Sequence, residues 1–474
     1  MNLIFVRRDF LVMFFLSLSL FSNCQFKDQQ LKPSLEKDGE IFVYLQPLPQ
    51  EAAKINFSIE DIRAIKSDET EYPISVLLSE FSDNNTRRQR LISTGWLPPG
   101  DYIGLTFRVI KAFLKVEDKK MADLLIQDAP QKIEFNFNVN EKKATLISLL
   151  FKYNNSLPDG VTFTPSFSAF IPEKPVTGLT GFVTNYRSNN ITVFDKKSGE
   201  VKSVIETGRG PMGMVIDRRQ MRAYVALSEE DAIDVIDITA GEIITRIKLF
   251  PGDAPQELAL TPNQKILLSA NTGSDTLSII DPVSFIELAR IDAGDSPNSV
   301  VIDPSGIRAY VFNTFSDNIS VIDIAARAVV AKVNSDPRPL RGEFNAKGNK
   351  LYVFHKWAPY FTVIDPFTFT VVKKIFVGSE VSSIKVDTNT DMIYIGSMED
   401  KYIKVYDPFS FIPVYSIYSG AGVDYMTIDG EENNLHLILN QKNSFLIVNL
   451  INKKIVHETD AGENPYWVTV MGER

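Results

Sequence analysis

The chain has 474 residues, a formal net charge of −9 at pH 7, 44% hydrophobic and 23% charged residues, and one cysteine. That length can bury two ordinary cores, so two domains are expected and no disulfide is there to brace either. An acidic balance without a Lys/Arg cluster argues against nucleic acid as a partner.

At the N-terminus, Arg7 and Arg8 precede an apolar run over residues 10–21, and Cys24 follows Ser22 and Asn23 directly. Such a run is too short to span a bilayer but suits the apolar region of a secretory signal. A lone Cys at its end resembles a bacterial lipoprotein cleavage site, although Asn23 departs from the small residue usual there. The resemblance implies that residues 1–23 are removed and that Cys24 is acylated. The implied address is the cell envelope, lipid-anchored in an outer membrane. The plainer alternative is a generic signal with an incidental Cys. Residues 24–38 carry almost no apolar side chains and are expected to be a solvated, flexible tether.

Strand patterns begin next: residues 41–45, 55–59, 74–78, 102–107, 132–139 and 144–151. Residues 39–170 are therefore expected to form a β-sandwich. The tight turn Leu97-Pro-Pro-Gly-Asp-Tyr102 feeding a strand resembles immunoglobulin- or transthyretin-like modules of envelope proteins. Residues 171–179, with Pro172 and Pro175, read as a stiffened linker.

From residue 180 the chain repeats. Asp195, Asp237, Asp281, Asp323, Asp365, Asp407 and Asn449 recur at steps of 42 or 44 residues, and Phe182, Tyr224, Leu268, Tyr310, Tyr352, Tyr394 and His436 keep the same beat. A period near 42 is what one four-stranded propeller blade requires. In the fourth copy the strands are expected at residues 309–313, 318–323, 328–333 and 342–345. The fold class is thus all-β: a seven-bladed β-propeller over residues 180–474, preceded by the sandwich. The periodic Asp reads as a turn acceptor, not a catalyst, because it ends a strand before a tight turn and Asn449 can replace it.

Segments such as Phe182-Val-Thr-Asn-Tyr-Arg-Ser-Asn-Asn-Ile-Thr-Val-Phe-Asp195 and Thr207-Gly-Arg-Gly-Pro-Met-Gly-Met-Val-Ile-Asp217 resemble the YVTN-type β-propeller repeat. The resemblance implies a seven-bladed ring whose innermost strand follows the Gly-x-x-Pro turn. It says little about function, since that family includes surface proteins, binding modules and some enzymes. Val381 and Val423 stand where the turn Pro is due, a drift in the later copies. Because the register opens on a second strand, the missing innermost strand of the first blade is expected from residues 466–471.

Catalytic chemistry is sparse. Of three histidines, His436 falls in the aromatic register and is expected to pack, His457 lies on an outer strand and is expected to be solvated, and His355 sits in a loop where a ligand could reach it. No nucleotide-binding loop, serine elbow, haem-attachment motif or His/Cys metal set is present, so no catalytic residue, metal or cofactor is assigned. Function is expected at the mouth of the ring, where the first residues of the inner strands vary most between copies. Candidate ligand-binding residues are Glu257, Arg341, His355, Trp357, Tyr360, Asp424, Tyr425, Tyr466 and Trp467, because Trp, Tyr and Arg supply most hot-spot energy. Arg341, Trp357 and Trp467 are expected from three different blades. The first reading is a non-enzymatic module, monomeric, binding an envelope protein, glycan or small ligand. The second is a hydrolase resembling the seven-bladed lactonases, for which Glu257, Arg341 and His355 are the only candidates of the right types. Trp and Tyr that merely plug the ring are the bland alternative for the mouth.

Overall fold

The computed structural model describes residues 32–33, 35–83, 85–116 and 120–473; Cys24 and the signal lie outside them. Seven four-stranded antiparallel sheets follow one another along the second part of the chain. The second opens with Pro211–Asp217 and continues through Arg222–Leu227, Ala232–Asp237 and Glu242–Lys248. The first strands of neighbouring sheets touch one another all the way round, which makes them the inner wall of a ring. The chain is a seven-bladed β-propeller. The strand starting at Pro339 opens the fifth sheet and does not end the fourth.

Asp and Asn make the turns that the repeat requires. Asp365 Oδ1 accepts the Phe367 and Thr368 backbone N–H groups at 2.8 and 3.1 Å, and Asn449 Oδ1 accepts those of Ile451 and Asn452 at 3.2 and 3.1 Å. The same bonds hold Asp281 and Asp407 below the usual carboxylate range. Charge is not what the position needs; an acceptor two residues upstream of a free N–H is.

The aromatic register is buried throughout, and two of its hydroxyls tie neighbouring blades together. Tyr224 donates to Pro282 O of the next blade at 3.0 Å, and Tyr310 to Pro366 O at 3.3 Å. His436 occupies the same register, fully buried and tilted against Phe194, with a pKa pushed down to about 3 by burial and by Lys196. His457 is half-buried rather than solvated, because Gly199 packs against its ring.

Blade one is closed by the far end of the chain. Pro465–Val470 pairs antiparallel with Thr180–Asn185, with Trp467 opposite Thr184 and Val468 opposite Val183.

Before the propeller, two sheets face each other across a shared core that includes Ile41, Phe57, Phe81, Tyr102, Phe137 and Phe151. One sheet runs Phe167–Phe170, Ala144–Phe151, Gly39–Leu45, Arg90–Leu97, Ser75–Val76; Gly100–Lys115, Ile55–Lys66 and Gln131–Val139 build the other. The strand expected at 74–78 shrinks to two residues, and Arg90–Leu97 is a strand that the alternation did not signal. Tyr102 donates to Pro98 O at 2.8 Å, which pins the turn between Arg90–Leu97 and Gly100–Lys115.

This sandwich leans on the outer strands of blades one and seven. Phe42, Tyr44, Leu91 and Leu146 share a core cluster with Val201, Val204 and Ala461. Arg90 Nε donates to Asp460 Oδ2 at 2.7 Å, and Val201 N to Gln89 Oε1 at 2.8 Å. Lys32, in the stretch read as free tether, bonds through its backbone N–H to Arg187 O at 3.3 Å and pairs with Glu40.

Deleting residues 463–474 removes the strand that completes blade one and exposes its neighbour's edge. Losing buried Trp467 alone corresponds to about 3–5 kcal/mol. The truncated protein is expected to aggregate or to lose the propeller's melting transition in calorimetry; an unchanged transition would refute the latch.

Candidate functional site

Each inner strand enters the ring at its Pro or Val end, and alternation sorts the residues that follow. The first, Met212, Gln256, Asn298, Leu340, Ser382, Asp424 or Tyr466, stands on the rim. The second, in four of the seven blades Glu257, Arg341, Tyr425 or Trp467, points to the axis. Arg341 of blade five reaches Glu257 of blade three (Nε–Oε2 2.6 Å) and the Tyr466 hydroxyl of blade one (Nη2–O 3.0 Å). Its guanidinium also lies over the rings of Trp467 at 4.8 Å and Tyr425 of blade seven at 5.3 Å. Tyr425 and Trp467 stack with centroids 3.9 Å apart at 24°. Side chains from blades one, three, five and seven can meet only on the axis, so this cluster seals the channel.

The seal is electrostatically balanced. Burial raises the Glu257 pKa, and Arg341 opposes that rise. Burial works against the Arg341 charge, but Glu257, Tyr466 and Tyr425 more than offset it, so its pKa is raised. A second polar layer lies deeper, where Lys385 Nζ meets Glu343 at 3.0 Å and Glu473 at 3.7 Å.

Above the seal is a cup of about 480 Å³ lined by rim and loop residues of all seven blades. Of the nine candidates, Arg341, Trp357, Asp424 and Tyr466 line it. Glu257, Tyr425 and Trp467 lie beneath it, in the plug. Arg341 and Trp357 both belong to blade five, so the expected three blades are two, with Trp467 from blade one below the cup floor.

Trp357 is 63% exposed and stands on a left-handed residue at φ 63°. Its backbone N–H donates to Glu380 Oε1 at 3.0 Å, and Arg338 packs 4.3 Å from its ring centre, so the tip is held in place. Asp424 Oδ2 accepts the Asn440 backbone N–H at 2.8 Å, and burial pushes its pKa up to about 6 against that bond.

His355 is not in the cup. It is fully buried, with Nε2 3.0 Å from Thr362 Oγ1 and Nδ1 3.2 Å from Pro337 O, and burial lowers its pKa to about 4. The repeat explains this. Asn185, Asn271 and Asn313 hold the same register and bond to Thr192, Ser278 and Ser320 at 2.9, 2.8 and 3.0 Å. His355 substitutes for that structural Asn. Tyr360 also misses the cup: its ring carries Lys374 Nζ at 3.7 Å. Glu257, Arg341 and His355 therefore do not converge as a hydrolytic set. Among the described residues no group of three or more His, Cys, Asp or Glu is placed to hold a metal ion.

Tyr186, Lys356, Met398 and Asn440 line the cup but were not singled out in the sequence. They share one register, four residues after the aromatic position, so the repeat did contain the signal. Glu380 and Asn464 share a second register, the residue just before the Val or Pro that opens an inner strand, so the repeat held that signal as well.

Comparison with known proteins supports the fold. A family profile described as YNCE-like beta-propeller matches residues 179–390. Hydrazine synthase of Kuenenia stuttgartiensis is similar at 16% identity with TM-score 0.51, covering 60% of this chain and 93% of its own. The dihydro-haem d1 dehydrogenase NirN, solved with DHE, is similar at 11% identity and TM-score 0.50, covering 64% and 78%. A functionally unknown protein of Desulfotomaculum acetoxidans DSM 771 reaches TM-score 0.54 at 13% identity, covering 61% and 98%. No curated protein sequence matches the chain.

The raised Asp424 pKa has a measurable consequence. Ionising this carboxyl costs more in the folded than in the unfolded chain, where it titrates near 4, so the cost is present above pH 6 and absent below about pH 4. Asp424→Asn keeps an acceptor for Asn440 and is expected to stabilise the fold by about 1–2 kcal/mol at neutral pH, a figure reduced for partial exposure. The gain should vanish at about pH 4 in thermal melts; a gain independent of pH would contradict this origin.

Proposed function

We propose that the chain is an exported, lipid-anchored envelope protein whose propeller binds a protein, glycan or small ligand in the cup without carrying out chemistry on it. The observation that supports this reading most is the cup: a closed floor, walls from every blade, and an exposed Trp357 held rigid at the edge. Concave sites of about 300–1,000 Å³ with a few convergent polar groups are where ligands bind. A pre-held aromatic gives contact area at low entropic cost. The likeness to two enzymes is one of fold, and folds of this kind host many activities.

The repeat is of the YVTN type on this reading, and acylation of Cys24 supplies the anchor, residues 24–38 the spacer. The protein acts as a monomer, because its outer strands carry Lys202, Arg246, Lys248, Arg290, Lys332, Lys373 and Lys374 among apolar neighbours, a pattern that discourages edge pairing. Arg246 and Arg290 are fixed by ion pairs to the buried carboxylates of Asp234 and Asp253. A concentration-independent dimer in light scattering of the delipidated protein would contradict the monomer.

Trp357→Ala is expected to weaken retention of the native ligand from solubilised envelope extract by about 2 kcal/mol, as hot-spot truncations do, with no change in melting temperature. Equal retention by the variant and wild type would remove the cup from the binding event. Cys24→Ser is expected to move the protein from the detergent phase to the soluble fraction; if it stays with detergent, the anchor lies elsewhere.

A further inference from the structure

We propose that the ligand of the cup is a neutral saccharide, an inference that rests on the cup being a binding site and narrows what it binds. The argument begins with charge. Arg341 is already matched by Glu257, while Lys356, Glu380 and Asp424 put both signs around the wall. An anionic ligand meets Asp424 and Glu380; a cationic one meets Arg341 and Lys356. Neither sign is selected, and either would leave an unfavourable pair inside a partly desolvated site.

Hydrogen-bonding capacity is the second point. The side-chain amides of Gln256 and Asn298 line the cup and bond to nothing among the described residues. Asn464 accepts from Asn440 at 2.8 Å, and its own amide nitrogen is unused among those residues. Asp424 has only one oxygen engaged, by the Asn440 N–H. These groups form two pairs on opposite sides of the ring, Gln256 and Asn298 on blades three and four and Asp424 and Asn464 on blades seven and one, and the second pair sets a carboxylate beside an amide. A sugar hydroxyl both donates and accepts, so adjacent hydroxyls can satisfy an amide and a carboxylate together. A wholly apolar ligand would strip water from these groups without replacing it, and sites of this type reject such ligands strongly.

The third point is shape. The Trp357 ring and Tyr466 give the cup flat, weakly polar faces, which suit the C–H face of a pyranose while its hydroxyls point to the amides. The volume of about 480 Å³ admits a short oligosaccharide rather than a folded protein surface.

The test is a glycan array of neutral, acidic and amino oligosaccharides probed with full-length protein, followed by calorimetric titration of the best neutral hit. Gln256→Ala, Asn298→Ala and Trp357→Ala are each expected to weaken that hit by about three- to thirtyfold with unchanged melting temperature. The Asn298→Asp variant, which keeps size and adds charge, should lose affinity as well. Preference for charged over neutral glycans, or affinity unchanged in the amide variants, would overturn the proposal. So would a silent array. If the array is silent while retention of an envelope protein still depends on Trp357, the cup binds but its ligand is not a saccharide. If neither depends on Trp357, the binding reading itself falls.

Discussion

The antiparallel pairing of Pro465–Val470 with Thr180–Asn185 turns a string of sheets into a closed ring, and the axial features depend on it. A blade buries its faces only against neighbours, so an open ring leaves two faces wet. The closure is reinforced from the opposite end of the channel. Lys196 is fully buried, with Nζ 3.2 Å from Asp429 and 2.7 Å from Glu431 of blade seven, and it also donates to Met471 O just past the closing strand. Taking that ammonium out of water is costly unless all its partners are present. They are present only when the chain's far end sits beside blade one, so the charge penalises misregistered closure as much as it stabilises the right one.

Once the ring is fixed, the axis becomes the one place where side chains from non-adjacent blades meet. Arg341 uses this by spanning to blades one and three while lying over the ring of Tyr425 in blade seven. A guanidinium is suited to the task, since its planar fork serves two acceptors while its faces stack on aromatics. The outcome is a floor. Without it the channel would run on to the Lys385–Glu343–Glu473 layer and the mouth would have no base against which a ligand could settle.

Much of the fold was legible because it rests on local needs repeated seven times: an acceptor before each turn, an aromatic at each blade interface, a strand left over at one end. The site was legible only in part. His355 ends its strand next to a loop, which reads as accessible. Yet Leu351–His355 is buried at all five positions, because a blade's second strand is covered on both faces and has no wet side for alternation to reveal. The recurrent Asn at that register was the clue, and its i+7 bond to Ser or Thr is a pairing across a hairpin that only the fold makes plain. Glu257, Tyr425 and Trp467 stand one residue further along the inner strand than the rim residues and face the axis. One step of alternation separates rim from axis, and that single step decides whether an aromatic faces a ligand or another blade.

The division between rim and axis also says where change is tolerated. Rim residues such as Gln256 and Asn298 sit at register shifts, between Pro255 and Glu257 and between Pro297 and Ser299, where they take no place in the ladder and their neighbours inward carry the packing. Replacing one alters what the cup presents while the ladder beneath is untouched. Axial residues have no such freedom: exchanging Arg341 strands Glu257 as a buried charge, and shrinking Trp467 opens the floor. The mixed walls above the fixed plug, with Gln256, Asn298 and Asn440 beside Met212, Leu340 and Lys356, are therefore particular to this chain rather than a requirement of the ring, and on the proposed reading their composition sets what the cup holds.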